Sequence, residues 1–340
     1  MQEQDTPSAM ETPPSGSPNI RAVAAAAGVS TGTVSRALRN MPGLSEETRA
    51  RILEVAAAMG YDTGKLRVRR LRRITLLLNR QHMALFQNPF YSLILQGMEE
   101  ACKKANLALS YTTVGLGDSL DSVWDLHDPD GIVCAGFMED DLLERISKRG
   151  IPVVLLDYSW PGIESVNPDN VTGAFLATEN LILAGYKRIA YLYGNLAHTS
   201  IRLRMRGYLA ALYKHGIPAN PDLEAELTLP GEYVEEATKA TQRLLALPER
   251  PDAIFACSDV AAMAAIATLR QAGLSVPGDI GVVGFDDIPS AASHMPTLST
   301  IQVDKAALAS IAVERLFAIS QGAEAAHPIL PVTFIRRGSF

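Results

Sequence analysis

NIRAVAAAAGVSTGTVSRALRN, from Asn19 to Asn40, carries two short apolar stripes at helical spacing separated by a break. Ile20, Val23, Ala24 and Ala27 make the first stripe and Val34, Ala37 and Leu38 the second, which predicts two helices joined by a tight turn at Gly28-Val29-Ser30. Gly28 supplies the left-handed turn conformation, Val29 plugs the space between the helices, and Ser30 caps the free N–H groups of the second. The outer side of that second helix presents Thr31, Gly32, Thr33, Ser35, Arg36 and Arg39. Small hydrogen-bonding residues near a helix start, followed by arginines, suit a helix that enters a major groove and meets phosphates on the way. On pattern alone, an Ala-rich hairpin of an ordinary helical domain is the competing reading.

Outward from this stretch, Ser45 with Glu46 and Glu47 marks the cap and first turn of a third helix, whose apolar face is Ile52, Val55, Ala56 and Met59 and which stops at Gly60. Three helices over 19–62 make a small domain. A basic run follows at 63–73, KLRVRRLRR from Lys65 to Arg73. Such a run is a solvated linker in most proteins; beside a groove-reading helix it becomes a phosphate-binding arm. The charge distribution points the same way. The formal net charge is −6, yet residues 1–73 hold 11 Lys and Arg against 7 Asp and Glu, and the remainder holds 20 against 30. A basic head on an acidic body fits a DNA-binding module joined to a domain that repels phosphate.

The 340 residues, 47% of them hydrophobic, describe a globular chain of more than one domain. Cys102, Cys134 and Cys257 are odd in number, widely spaced and set in apolar surroundings, so they read as reduced buried thiols of a cytoplasmic protein, with no metal-ligand spacing. Residues 1–18 are acidic and rich in Pro and Ser, with neither a basic start nor an apolar run, and read as a disordered tail with no membrane role.

From Ile74 onward, short apolar runs alternate with longer amphipathic ones. Strands are expected at 74–78, 107–111, 131–135, 153–156, 188–193, 253–257 and 280–284, and helices at 91–104, 141–148, 171–183, 204–215 and 260–271. Continuous apolar strands separated by helices indicate parallel sheets covered on both faces, and a series this long divides into two doubly wound halves with a cleft at the carboxyl ends of the strands. Polar residues stand at those ends: Asn79, Asp157, Ser258 with Asp259, and Asp286 with Asp287. Carboxylates there accept paired hydrogen bonds from neighbouring hydroxyls, although any one of them is equally at home as a helix cap or turn residue.

Residues 23–38, in the form V-A-x-x-A-G-V-S-x-x-T-V-S-R-x-L, closely resemble the helix-turn-helix of the lactose-repressor (LacI) family of bacterial transcription regulators. Ala22 stands where that family usually has Asp, and Asn19 where it usually has Thr. The resemblance extends over the rest of the chain. It implies an α/β fold: an N-terminal three-helix helix-turn-helix headpiece plus a two-lobed core of doubly wound parallel sheets like that of periplasmic sugar-binding proteins. The core would span 74–340, with three crossings near Asn167, Ile301 and His327. One lobe would hold 74–167 and 302–326, the other 168–301 and 327–340. The family's hinge helix, which wedges a leucine into a minor-groove step, corresponds to Val68-Arg69-Arg70-Leu71 and makes Arg69 and Leu71 DNA-contacting residues, with Leu66 the alternative wedge.

The resemblance also assigns cleft residues. Gly284-Phe285-Asp286-Asp287 is similar to a motif whose first carboxylate touches effector, which points to Asp286; the segment Ser200–Gly207 places Arg204 in the cleft and leaves Arg202 and Arg206 on the surface; Leu156-Asp157 and Ser258-Asp259 match further contacts, with Ser258 replacing an Asn. Asn88-Pro89-Phe90-Tyr91 is similar to a segment that sets an aromatic residue, here Phe90, at the cleft mouth, and Trp160 is a candidate for stacking on a sugar face. The expected function is therefore a dimeric operator-binding regulator, repressing rather than activating, answering to a small-molecule effector that is a carbohydrate before a purine, with no cofactor. A sugar-transport receptor or a cytoplasmic enzyme on the same two-lobed fold are the alternatives. No dinucleotide loop, P-loop or G-x-S-x-G supports catalysis.

Overall fold

A computed structural model describes residues 19–38, 44–61, 71–80, 89–115, 118–228 and 233–340. The chain divides into two compact units, 1–69 and 70–340.

In the first unit, α1 (Ile20–Ala27), α2 (Thr31–Leu38) and α3 (Glu46–Ala58) surround a core of Val23, Ala24, Ala27, Val34, Ala37, Ile52 and Ala56. Each helix starts on a side-chain cap. Asn19 accepts from the N–H groups of Arg21 and Ala22, Ser30 Oγ from Thr33 N at 3.1 Å, and Ser45 Oγ from Thr48 N at 3.2 Å. Gly28 ends α1 at φ +66°, the left-handed conformation the turn requires. Two arginines of α3 close the carbonyl ends of the hairpin: Arg51 Nη2 donates to Ala27 O at 3.2 Å and Arg49 Nη1 to Ala37 O at 3.5 Å. Cations at helix C-termini also favour the macrodipole.

The second unit holds two sheets whose strands all run parallel. One is ordered β11-β5-β4-β3-β1-β2, from β1 (Arg73–Asn79), β2 (Ala108–Val114), β3 (Gly131–Ala135), β4 (Val153–Leu156), β5 (Glu164–Pro168) and β11 (Ile329–Leu330). The other is ordered β7-β6-β8-β9, from β6 (Ile189–Tyr193), β7 (Glu224–Glu226), β8 (Ala253–Ala256) and β9 (Gly281–Val283). A third, antiparallel pair joins β10 (Thr300–Gln302) to β12 (Thr333–Ile335). Helices α4 (Pro89–Lys104), α5 (Leu120–His127), α6 (Asp140–Ser147) and α12 (Lys305–Ser320) belong to the first lobe; α7 (Asn170–Leu183), α8 (Thr199–Lys214), α9 (Tyr233–Leu245), α10 (Asp259–Gln271) and α11 (Pro289–Ser293) belong to the second. β3 and β4 are buried along their whole length, as strands covered on both faces must be.

The chain passes between lobes from β5 into α7, from β10 into α12, and from β11 into β12. The last passage differs from the expected boundary at His327. Ile329 and Leu330 pair with Asn167 and Pro168 in the first-lobe sheet, so the crossing falls after Leu330. β5 itself, Glu-Ser-Val-Asn-Pro, is fully buried although its letters look like a loop. Its carboxylate explains this: Glu164 is clamped by Nε and Nη2 of Arg315 on α12. α8 starts at Thr199, earlier than the expected 204, because His198 Nδ1 caps Ser200 N at 3.3 Å.

Two glycines set the packing behind the site. A Cβ on Gly207 of α8 would collide with Val171 O and come within 2.8 Å of Ala174 Cβ on α7, so these two helices touch backbone to backbone. A Cβ on Gly173 would come within 2.7 Å of the Phe285 ring.

Leu71 corrects the hinge expectation. It is 4% exposed and lies in the first-lobe core, near enough that a Cβ on Gly131 would meet its Cδ1 at 2.8 Å. A side chain holding that place is not available to wedge a base step. Arg39, Arg69 and Leu66 lie outside the described residues. Leu71→Ala is expected to lower the stability of the second unit by about 2–4 kcal/mol, as buried leucine truncations do. A denaturant titration checks this; an unchanged midpoint would return Leu71 to the linker.

Candidate functional site

Two regions carry the functional side chains. On α2, Thr31, Gly32 and Arg36 are exposed, Thr33 and Ser35 are half-buried, and Val34 and Ala37 face the core. The Ser30 and Thr33 hydroxyls lie 2.8 Å apart, so part of the hydrogen-bonding capacity of Thr33 is spent on the cap. What remains is one face with a hydroxyl and a backbone without a side chain at its start and a guanidinium a turn later. Such a face offers a hydrogen-bonding group and close backbone approach at its first turn and a cation one turn later.

The second region is a buried polar cluster at the carboxyl ends of the strands, where the lobes meet. Asp157 follows β4 at φ +57° and is 5% exposed. Tyr91 of α4, in the first lobe, donates its hydroxyl to Asp157 Oδ2 at 2.8 Å. Ser200 of α8, in the second lobe, places Oγ 2.6 Å from Oδ1 and 2.9 Å from the carbonyl oxygen of the same residue. His198 Nε2 stands 3.9 Å from Oδ2. Asp157 thus joins the two lobes, and both its carboxylate oxygens are engaged. Burial first, and then the Asp157 carboxylate, push the Tyr91 phenol well up, so it stays a proton donor.

Arg204 is 4% exposed one turn further along α8. Its Nε donates to Asn170 Oδ1 at 2.8 Å, its Nη1 to the Cys257 carbonyl, and its Nη2 lies 3.6 Å from Asp286 Oδ1. The guanidinium carbon sits 3.7 Å from the centre of the Phe285 ring, which makes Phe285 its floor. Burial opposes the charge on Arg204, and Asp286 and Asp157 more than restore it.

Asp286 takes φ +116°, a rare value for a residue with a side chain. Lys305 Nζ holds it there by donating to the carbonyls of Asp286 and Asp287. The two carboxylates differ in use. Asp287 pairs with Arg337 at 2.6 Å and accepts from Gln302 at 2.9 Å, whereas Asp286 accepts no side-chain hydrogen bond among the described residues and has only the Arg204 approach. Burial raises the Asp286 carboxyl to about 7; Arg204 and Lys305 pull against the rise and Asp157 adds to it. Asp259 is also raised well above the usual carboxylate range, by burial and then by Asp286, and it ties the loop together, accepting from Ile288 N at 2.8 Å and from the Thr300 hydroxyl.

Asp157, Arg204 and Asp286 are therefore brought together, as expected. Ser258 borders them but its hydroxyl caps Ala261 N at 3.2 Å and meets the Tyr233 hydroxyl at 3.0 Å. Asn79 is fully buried and bonds both carboxylate oxygens of Glu139. Phe90 is a correction: it is 2% exposed and packs edge-on to Tyr91 in the first-lobe core, because one helical step turns it away from the cleft and brings Tyr91 in instead. Trp160 is half-buried and donates to Asp140 at 3.0 Å, outside the cluster. Arg202 and Arg206 are exposed. Tyr91, Asn170, Ser200, Tyr233 and Lys305 join the site without having been singled out; for Ser200 the helical spacing to Arg204 was the available signal.

No group of His, Cys, Asp and Glu among the described residues is placed to hold a metal. Cys102, Cys134 and Cys257 are buried and free, and burial raises the thiols of Cys102 and Cys134 to about 11 and about 12, which keeps them protonated. Among the described residues, no helix is long and apolar enough to cross a membrane.

The unfolded chain loses the proton of an aspartate near pH 3.9, while folded Asp286 keeps it to about 7. Through that window the folded state binds the extra proton, so the contribution of Asp286 to stability declines as pH rises. Asp286→Asn is expected to raise the thermal midpoint of the effector-free protein over wild type by a margin that grows between about pH 5 and about pH 7.5. A margin that stays flat across that range refutes the shift.

The comparisons with known proteins agree with this geometry. Residues 19–63 match the model of bacterial regulatory proteins of the lacI family, and residues 178–340 that of the periplasmic binding protein-like domain. The chain is 30% identical over 313 residues to the HTH-type transcriptional repressor PurR of Mannheimia succiniciproducens, covering 88% of this chain and 90% of that one. It is 31% identical over 311 residues to the ribose operon repressor of Haemophilus influenzae, covering 87% and 90%. A solved structure, the transcriptional regulator CelR–cellobiose complex, matches with a TM-score of 0.73 at 27% identity over 95% of this chain and all of that one. With a helix-turn-helix in one unit and a two-lobed parallel-sheet core in the other, the chain belongs to the LacI family of bacterial DNA-binding transcriptional repressors.

Proposed function

We propose that this repressor senses a carbohydrate held between the lobes of its second unit, and that the bound sugar changes operator affinity by altering how the lobes meet. The observation that carries the reading is the Asp286 carboxylate, buried beside Arg204 and accepting no side-chain hydrogen bond among the described residues. Two neighbouring hydroxyls of a sugar satisfy such a carboxylate, and a ring or hydroxyl oxygen accepts from the guanidinium. Asp157 is where ligand and protein compete. A hydroxyl that donates to it displaces Tyr91 or Ser200 and so acts directly on the contact between lobes. Ser258, in place of an Asn, removes an amide donor and narrows the choice of ligand. Asn79 acts through Glu139, and Phe90 by supporting Tyr91.

In this reading, a homodimer sets two copies of α2 on a pseudo-palindromic duplex. Thr31 and Gly32 set base preference, Gly32 by close approach; Thr33 and Ser35 contribute hydroxyl contacts; Arg36 meets a base or phosphate, and Arg39 and Arg69 meet phosphates. The protein has no catalytic role. The named relatives are a PurR repressor and a ribose operon repressor, and the reading for a sugar rests on the acidic, hydroxyl-matching cluster and on the cellobiose carried by the similar structure.

Arg36→Ala is expected to reduce binding to duplex from upstream of the gene at least tenfold, with the thermal shift given by an active sugar unchanged; loss of both marks general unfolding. Asp286→Ala is expected to bind the same duplex as wild type but to lose the response, scored by mobility shift across a panel of mono- and disaccharides and purine bases. A full response in Asp286→Ala excludes the residue from the site, and a response to the purines alone overturns the sugar assignment.

A further inference from the structure

A second concavity of about 510 Å³ opens on the crossover side of the lobes, lined by neither Asp157, Ser200, Arg204 nor Asp286. Helical geometry separates the two. Ser200 and Arg204 lie four residues apart on one face of α8, while Thr199, Arg202 and Leu203, at spacings of three and four, line this second groove from another face. Trp160 and Pro161 come from the first lobe, and Ile329, 69% exposed on the edge strand β11, adds an aliphatic surface. The volume is that of a small-molecule pocket.

Its polar groups favour an anion. Arg202 gives one N–H to Leu196 O at 2.9 Å and another to Thr199 Oγ1 at 3.5 Å, and it forms no ion pair among the described residues. The other N–H groups of its fork remain for an acceptor. Asp169 also borders the groove, one oxygen capping Thr172 N at 3.0 Å, so an anion is taken at the Arg202 and His327 side of the groove, away from this carboxylate. At the far end, His327 Nδ1 accepts from Ser165 N at 3.3 Å, which leaves the ring proton on Nε2 as a further donor. An indole, two prolines and an isoleucine around a guanidinium recognise an aromatic or alicyclic ring bearing one carboxylate or sulfonate.

We propose that this groove is a second ligand site, for a compact aromatic anion, distinct from the buried carboxylate cluster. Its occupant touches both lobes and lies against Thr199, whose Oγ1 donates across the lobe boundary to Ser159 O at 3.3 Å, next to the Ser200–Asp157 contact. Asn170 borders both sites, with its amide oxygen committed to Arg204. Occupancy therefore reads, and biases, the same lobe contact that the first site controls.

Anilinonaphthalene sulfonate is the probe, because its ring system and single sulfonate match the groove and Trp160 can transfer energy to it. Expected are saturable binding of one dye per chain to the full-length protein, transfer that falls at least twofold in Trp160→Phe with Trp124 accounting for the remainder, and at least tenfold weaker binding in Arg202→Gln. Asp286→Asn should bind the dye as wild type does. Circular dichroism and the thermal midpoint confirm that each variant is folded, and Arg202→Lys, which keeps the charge, should recover part of the affinity. Binding unaffected by Arg202→Gln, transfer undiminished in Trp160→Phe, loss of binding in Asp286→Asn, or no saturable binding at all each overturns the proposal.

Discussion

A carboxylate taken almost completely out of water must be given donors or lose its charge, and Asp157 obtains its donors from two different lobes. Much of the sensor follows from that requirement. Tyr91 must lie on the inward side of α4, so Phe90 is turned into the core. Ser200 must reach across, so α8 must start as early as Thr199, and His198 supplies the cap that lets it. Arg204 then falls one turn further on the same face. There, Asn170, the Cys257 carbonyl and the Phe285 ring position it beside Asp286. The lobe contact and the candidate ligand groups are one connected network.

Asp286 occupies the opposite situation. Its backbone is pinned by Lys305 in a conformation unusual for any residue but glycine, and among the described residues its carboxylate has the Arg204 ion pair at 3.6 Å and no side-chain hydrogen bond. A strained backbone and a carboxylate with room for further donors single this residue out from its surroundings. The neighbouring Asp287, with Arg337 and Gln302 on its two oxygens, is a structural counterpart of the same chemical type. Residue identity alone does not separate the two; partner inventory does.

How far the sequence could be read follows from the range of each interaction. The headpiece was legible nearly in full, because its caps at Asn19, Ser30 and Ser45 and its turn at Gly28 act over two or three residues. The strands of the two sheets were legible where both faces are apolar, as in β3 and β4. β5 was not, since a buried Glu-Ser-Val-Asn-Pro becomes a strand only when Arg315, some 151 positions away along the chain, answers Glu164. Helix α12, with apolar residues spread around it, offered little periodic signal. Within the site, Arg204 and Asp286 stood out by motif, whereas Tyr91, Asn170 and Lys305 acquire their roles only from partners brought in by the fold. Choosing Phe90 over Tyr91 was an error of one residue, which on a helix is a turn of about 100°. Leu71 was misplaced for a related reason: a leucine among arginines looks like part of the linker until its neighbours across the sheet, Gly131 and Leu316, are known.

The absence of a side chain at Gly207 gives α8 a particular mechanical character. With the Gly207 backbone resting on that of Val171 and Phe175 and on the Ala174 methyl, α7 and α8 have no intervening layer of flexible methylenes to absorb a displacement. α7 is also the first element after the crossover from β5. A tug delivered to Ser200 or Arg204 is therefore passed undamped to the strand joining the halves, much as a stiff crank turns its shaft. A bulkier residue at 207 would separate the helices and introduce play, loosening the link between α8 and the crossover.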